Sequence, residues 1–573
     1  MKATGPSDEG GKSVSAKASK PEQPATVRRT HRHSRRAFLS RTSGLAVATW
    51  SASALGLNLL ASPQAHAAAS TAGDHQRVTQ CFSLRREAAL RDRNLGTPSH
   101  VSNGDEATHP NRIGNYSKGL PHNSIGEVDL AAYDSLVRAV TTGDPSDFEN
   151  VTLGGNTPLV NPQAGLAFDM EGLDAYQFAI PPAPALASAE RAGEAVECYW
   201  MALLRDVNFT QYDSHALALQ AAAELSTLSD FRGPKVNGQV TPATLFRGSA
   251  AGDLVGPHVS QFLLQPLGYG VLTIDQKFNT YLAGLDYLTT PAAWLSVRNG
   301  NSPSLLGSMD PVLRYARNGR DLAAYVHVDV LFEAYFNACL WLLNHGAPLS
   351  LGNPYLNSQN QTGFGTFGAP HIATLVAEVS TRALKAVWYQ KWFVHRALRP
   401  EEYGGLVHFT RTGQANHPLH PEALNSAAID LTYSRFGSYL LPMAFPEGCP
   451  QHPAYGAGHA TVAGACTTIL KAFFDGSWVI PNPVVASDDG LSLLPYIGAD
   501  AGQLTVAGEL NKVAANVSVG RNHAGVHWRS DYWESLLLGE QVAISILRDQ
   551  RKCYNEPFAG FTFAGFRGNT ITV

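Results

Sequence analysis

Between His371 and Leu398, apolar residues recur at the three- and four-residue spacing of a single helix face: Leu375, Val376, Val379, Leu384, Val387, Trp388 and Trp392. So long a run commits this part of the chain to an amphipathic helix. Pro400 is expected to end it, because proline has no N–H to donate and its ring clashes with the preceding turn. Similar periods occur over Ala187–Asn208, Ser214–Leu228, Asp321–Asn344, Pro421–Phe436, His459–Phe474, Gly502–Ala515 and Asp531–Arg551, separated by loops rich in Gly and Pro. The predicted class is therefore all-α, helical bundles joined by long loops. Residues 76–185 read as loop-rich, with short elements that periodicity does not locate, and neither a repeat nor a linker divides the body.

Three clusters carry chemistry. The first, Lys391-Trp392-Phe393-Val394-His395-Arg396-Ala397-Leu398-Arg399-Pro400, sets Lys391 and Arg399 about 12 Å apart along a continuous helix, within reach of one anion. The second, His452-Pro453-Ala454-Tyr455-Gly456-Ala457-Gly458-His459, leads into a helix whose first N–H groups favour negative charge. In the third, Arg521 precedes His527 by six residues and Asp531 follows it by four, so a carboxylate is positioned to orient the imidazole. Together they suit a tetrahedral or trigonal-bipyramidal oxyanion. Arginine forks bind its oxygens in pairs, lysine adds a point charge, and a neutral imidazole coordinates a metal centre.

The order Lys-x7-Arg-Pro, Gly-His, Arg-x5-His-x3-Asp resembles the vanadium-dependent haloperoxidases, whose anion site is shared with the type 2 acid phosphatases. The Lys–Arg interval is similar to that of the algal bromoperoxidase branch; the phosphatase pattern usually has one residue fewer. The likeness extends through Ala192–Val207, Gly252–Leu263 and Arg320–Asp329. It implies two four-helix bundles. It also implies that Lys391, Arg399, Gly458 and Arg521 hold vanadate oxygens and His527 coordinates vanadium. In that chemistry His459 is the acid–base group, Lys391 polarises the peroxide, and His452 tunes halide use. The implied partners are hydrogen peroxide, a halide and a small organic substrate, with no haem or flavin and with a homo-oligomer, a dimer, as the assembly.

One residue departs from the family motif, which reads Ser-Gly-His where this chain has Ala457-Gly458-His459. The missing hydroxyl removes one neutral donor from the anion, a loss of roughly 0.5–1.5 kcal/mol. The departure favours a second expectation, since bacterial relatives in meroterpenoid biosynthesis include catalysts of non-oxidative α-hydroxyketone rearrangement as well as halogenation and halocyclisation. There His459 would deprotonate a hydroxyl and Lys391 with the arginines would stabilise the oxyanion, without vanadate. A phosphatase or an inert anion binder is the third.

The N-terminal 67 residues read as an export leader. Ser34-Arg35-Arg36-Ala37-Phe38-Leu39-Ser40 resembles the twin-arginine motif, Leu45–Leu60 forms the apolar segment, and Ala65-His66-Ala67 is the expected cleavage site. Residues 68–573 then form a single catalytic domain, extracellular or periplasmic. The apolar segment is too short and too rich in Ser and Gly for stable membrane insertion. Of 43 Lys+Arg and 47 Asp+Glu, residues 1–67 hold 10 and 3, which leaves 33 and 44 and a formal charge of −11. Nucleic acid is excluded as a partner on that charge, and an anionic ligand must be captured locally against the overall field. Six cysteines without Cys-x-x-Cys spacing indicate neither a zinc site nor a disulfide scaffold.

Overall fold

The computed structural model describes residues 63–303 and 307–573. The Arg35-Arg36 motif and the Leu45–Leu60 segment lie outside the described residues, and Ala65-His66-Ala67 falls in the first turns of helix α1 (Pro63–Leu95). Periodicity missed α1 because it carries no apolar stripe. Helix α2 (Leu130–Thr142) lies inside the segment read as loop-rich, started by Asp129, whose carboxylate accepts from the Ala132 N–H, and stopped by Gly143 in the left-handed region.

The remaining helices used below are α3 (Ala189–Leu203), α4 (Gly319–Tyr325), α5 (Glu333–Asn344), α6 (Ala369–Tyr389), α7 (Pro400–Arg411), α8 (Gly458–Phe473), α9 (Val506–His523) and α10 (Arg529–Gln550). Strands are confined, among the described residues, to two-stranded antiparallel ribbons, such as β1 (Phe278–Tyr281) with β2 (Met309–Arg314). The all-α expectation therefore holds. Helix α8 is buried along almost its whole length and packs against α6, α9 and α10 as one bundle. Gly464 on α8 and Gly539 on α10 permit that contact, because a Cβ at either would collide with the facing backbone at Leu536 or Thr461. A second group of helices surrounds α3: Ala216–Thr227, Pro421–Leu424 and Ala427–Phe436.

Two expected helices are broken. The run from His371 does not continue to Leu398: α6 ends at Tyr389, a π-turn covers Gln390–His395, and Arg396 enters the left-handed region at φ 40°. Lys391 and Arg399 therefore do not share a helix. Pro400 opens α7 instead of closing α6, since at the first helical position its missing N–H has no partner to lose and its φ is already helical. The Asp321–Asn344 run likewise splits into α4 and α5 around the loop Val326–Phe332. Both breaks deliver side chains to the site.

All six cysteines are free, with Cys198, Cys339, Cys449 and Cys466 buried. Among the described residues no helix is long and apolar enough to cross a membrane. The loop preceding Pro257 folds around Arg247, whose guanidinium donates to the carbonyls of Asp253, Gly256 and Pro257. Burial pushes the neighbouring Asp253 carboxyl up to about 7, although Arg247 and Lys512 pull it down. Its folded pKa thus exceeds the unfolded value near 4, so its contribution is present at pH below about 4 and is lost as pH rises through about 7. Asp253→Asn should remove this loss. Relative to wild type its stability should gain about 2–4 kcal/mol between pH 4 and pH 8. Thermal melts of both proteins that stay parallel across that range would show that Asp253 does not titrate as described.

Candidate active site

The π-turn, the start of α8 and the turn between α9 and α10 meet around a cavity of about 310 Å³. His452, Gly458, His459, Arg521 and His527 line it. Lys391 and Arg399 lie behind its wall, fully buried. Lys391 Nζ donates to the carbonyls of Pro453 (2.7 Å) and Ala454 (3.0 Å), 5.7 Å from the Trp388 ring centroid.

Arg399 is held more completely. Nε donates to the His452 carbonyl (2.8 Å) and Nη1 to the Val526 carbonyl (2.6 Å) and His527 Nε2 (3.2 Å), while Nη2 reaches His452 Nδ1 (2.8 Å) and the Pro453 carbonyl (3.1 Å). A guanidinium has five N–H donors, and all five of these have protein acceptors. Glu402 fixes the Arg399 backbone by accepting its N–H at 2.9 Å.

His527 is presented by a turn that requires Gly525 at φ 82°. Its Nδ1 donates to Asp531 Oδ2 at 2.7 Å, and the same oxygen accepts the Trp528 N–H at 3.1 Å. That bond leaves Nε2 as the acceptor facing Arg399. His459 has an analogous partner that sequence reasoning missed: its Nε2 lies 3.1 Å from Asp329 Oδ1. Asp329 sits in the loop that breaks the expected helix, and the preceding Val326 carbonyl accepts Arg521 Nη1 at 2.7 Å. Arg521 Nε, also buried, has no partner. The available signal for Asp329 was its place in the Arg320–Asp329 stretch.

The α10 N-terminus is anchored by α3, another contribution not foreseen. Arg191, Glu194 and Glu197 follow one face of α3. The Arg191 guanidinium lies 4.3 Å from the Trp528 ring centroid, Glu194 accepts the Ser530 N–H, and Glu197 receives Nε of Arg529 at 2.8 Å as well as its Nη2.

Burial sets the charge states. It pulls His527 and His452 well below the ordinary imidazole range, and Arg399, Lys391 and Arg521 push them in the same direction. His459 is lowered by burial despite Asp329, so His452, His459 and His527 are neutral near pH 7. Lys391 falls well below its usual value through burial and the nearby Arg399, and Arg521 is lowered to about 10 for the same two reasons. Burial raises Asp531 to about 7. At α8 Ala457 is the N-cap: no side chain caps the first turn, and the Ala457 N–H donates to Ser535 Oγ at 2.8 Å.

A helical bundle that gathers three buried cations, a helix N-terminus and a carboxylate-oriented imidazole around one cavity defines an oxyanion-handling enzyme site. The model of the family described as VCPO second helical-bundle domain matches residues 371–556, which span α6 to α10. Vanadium-dependent bromoperoxidases of Corallina pilulifera and Ascophyllum nodosum are 38% and 35% identical to this chain, over 87% of it and 98% and 92% of their own lengths. The solved homohexameric second vanadate-dependent bromoperoxidase of Ascophyllum nodosum superposes with a TM-score of 0.83 at 31% identity, covering 93% of this chain and 95% of that one. The chain belongs to the vanadium-dependent haloperoxidase family.

Proposed function

We propose that the protein binds vanadate and uses hydrogen peroxide to oxidise a halide, which is transferred to an organic substrate. The observation that carries this reading is the buried surplus of positive charge: Arg399 lowers the proton affinity of both Lys391 and Arg521, and Arg521 lowers that of Lys391, while Asp531 and Asp329 are engaged by imidazoles. An oxyanion relieves that repulsion. The residues fit vanadate, since Arg521 Nε is unpartnered and the first turn of α8 is uncapped. Lys391, Arg399, Arg521 and the Gly458 N–H would hold its oxygens and His527 Nε2 its metal, once Arg399 exchanges the His527 and His452 nitrogens for the anion. Bound vanadate supplies a Lewis acid that activates peroxide without changing oxidation state.

The chain's own groups do the rest. His459, oriented by Asp329, takes a proton from incoming peroxide and returns it. Lys391 adds positive charge to the reacting oxygen, and His452, held by Arg399 and 4.8 Å from the Trp388 ring, tunes the halide's surroundings. Val160, Leu331, Leu384, Trp388 and Pro450 give the cavity an apolar wall suited to an organic body such as a meroterpenoid. The reading includes a twin-arginine-type leader over residues 1–67, a single catalytic domain over 68–573 and an exported enzyme. A homo-oligomer belongs to it because the solved relative is homohexameric, which gives the expected dimer no support.

Two observations favour a second reading, redox-neutral rearrangement of an α-hydroxyketone in the same pocket. Ala457 supplies no hydroxyl, and Arg399 has every donor engaged without an anion. In that case His459 or a neighbour removes the hydroxyl proton, and Lys391 and the arginines stabilise the oxyanion. Vanadate titration of apo-protein, with bromide oxidation followed in parallel, tests the first reading. Conversion that needs vanadate, peroxide and halide excludes the second; conversion without any of them excludes the first. The acid phosphatase reading is the weakest, since the relatives matched are bromoperoxidases. If vanadate binds, Ala457→Ser should tighten it by up to about tenfold by restoring one donor, and should add about 1 kcal/mol of helix capping. An unchanged dissociation constant would mean that the serine side chain does not reach the anion.

A further inference from the structure

The cavity wall carries a third imidazole–carboxylate pair that neither reading uses. His327 lines the cavity in the same loop as Asp329, its ring stacked on Phe445 with centroids 3.7 Å apart and planes 9° from parallel. Nε2 bonds to the Glu447 carboxylate and Nδ1 to the Tyr281 hydroxyl, which comes from β1. The Glu447 backbone is pinned by Lys118, whose Nζ donates to its carbonyl at 2.7 Å. Glu447 is the one carboxylate among the described residues that line the cavity. Its side chain is 40% exposed, against 9% for Asp329 and 0% for Asp531.

The stoichiometry of halide oxidation makes this pair useful. A bromide ion gives two electrons to peroxide; the O–Br bond forms as the O–O bond breaks, and the departing oxygen takes one proton to leave as water. Each turnover therefore consumes a proton from outside. The His459–Asp329 pair is the less exposed, with side chains 16% and 9% accessible against 21% and 40% for His327 and Glu447, so it recycles a proton while the wetter pair replaces it. We propose that the His327–Glu447 pair is the proton entry of this enzyme: Glu447 takes a proton from water and passes it to His327 Nε2, and His327 releases the consumed proton from Nδ1 to a cavity water once Nδ1 exchanges the Tyr281 hydroxyl for that water. The inference rests on the haloperoxidase reading. The charged and titratable groups facing the pair are Tyr281 from β1, Lys118 behind Glu447, Arg521 at 5.8 Å from the same Phe445 ring, and Asp329 and His459 across the loop.

The test follows bromination of monochlorodimedone, which traps the oxidised bromine without a further proton, by the vanadate-loaded full chain across pH 5–9. In His327→Gln the rate should fall about tenfold at the alkaline end, where proton supply limits, and much less at the acid end, a smaller effect than the roughly 100-fold or more of a general acid acting directly on the reacting atoms. Vanadate affinity should stay within twofold, and added imidazole should restore part of the rate. Glu447→Gln should produce the same change of pH profile, and the double variant should be no slower than His327→Gln alone. A His327→Gln profile within twofold of wild type at every pH overturns the proposal. So does a uniform, imidazole-insensitive loss, which marks a packing role on Phe445. Wild-type protein that binds no vanadate and brominates no monochlorodimedone removes the haloperoxidase reading itself, and the proton entry with it.

Discussion

His527→Ala is expected to weaken vanadate binding by at least about 100-fold, or roughly 2.7 kcal/mol, and to remove bromide oxidation at micromolar vanadate. The argument is geometric. Asp531 holds Nδ1 and fixes the ring so that Nε2 is the only metal-donor atom His527 can present. The electrostatic cage remains in the variant, so weak anion binding persists while metal coordination does not. Equilibrium dialysis with vanadate and with phosphate separates the two. An equal loss for both anions would mean that His527 shapes the cage and is not the ligand.

Glu197→Ala should be the most destabilising single change near the site, at about 3–5 kcal/mol, because it leaves Arg529 buried without its carboxylate. The thermal midpoint should fall by several degrees. Replacing both partners, as Glu197→Leu with Arg529→Met, should recover most of the loss, since the penalty lies in the unpaired charge and not in the missing bond. The single variant should also misplace Asp531, two residues beyond Arg529, and so reduce activity more than stability alone explains. Chemical denaturation placing Glu197→Ala within 1 kcal/mol of wild type would show that water reaches Arg529.

The helices of the bundle were legible because each buries one face, and burial writes an apolar period into the sequence: α8 and α10 lie within two residues of their expected bounds and α3 within five, while α6 starts within two residues of its expected start but stops nine short of Leu398. The site was legible as three clusters of cations and imidazoles, since few other roles use that inventory in that order. Convergence came about by a different route from the one expected. Lys391 and Arg399 meet not by facing along one helix but because a π-turn and a left-handed Arg396 fold the chain back. Periodicity records which face of a helix is buried and is silent on where the helix is interrupted; the interruption at Val326–Phe332, which supplies Asp329 and His327, was invisible for that reason. The anchoring row Arg191, Glu194 and Glu197 was hidden differently. Charged residues on a helix ordinarily mark its wet face, and here they are buried against Trp528 and Arg529.

The saturation of Arg399 has a consequence for what the pocket refuses. Four imidazoles, His327, His452, His459 and His527, open onto one cavity, an inventory that would attract zinc or copper in other surroundings. Yet no three His, Cys, Asp or Glu among the described residues are arranged to hold a metal ion. A divalent cation would have to evict a guanidinium from His527 Nε2 and then sit among Lys391, Arg399 and Arg521, where each like charge repels it with little water to screen the force. An anion meets the opposite situation, because it gains the guanidinium that a cation must displace. The arrangement of cations around these imidazoles is therefore a filter on the sign of charge.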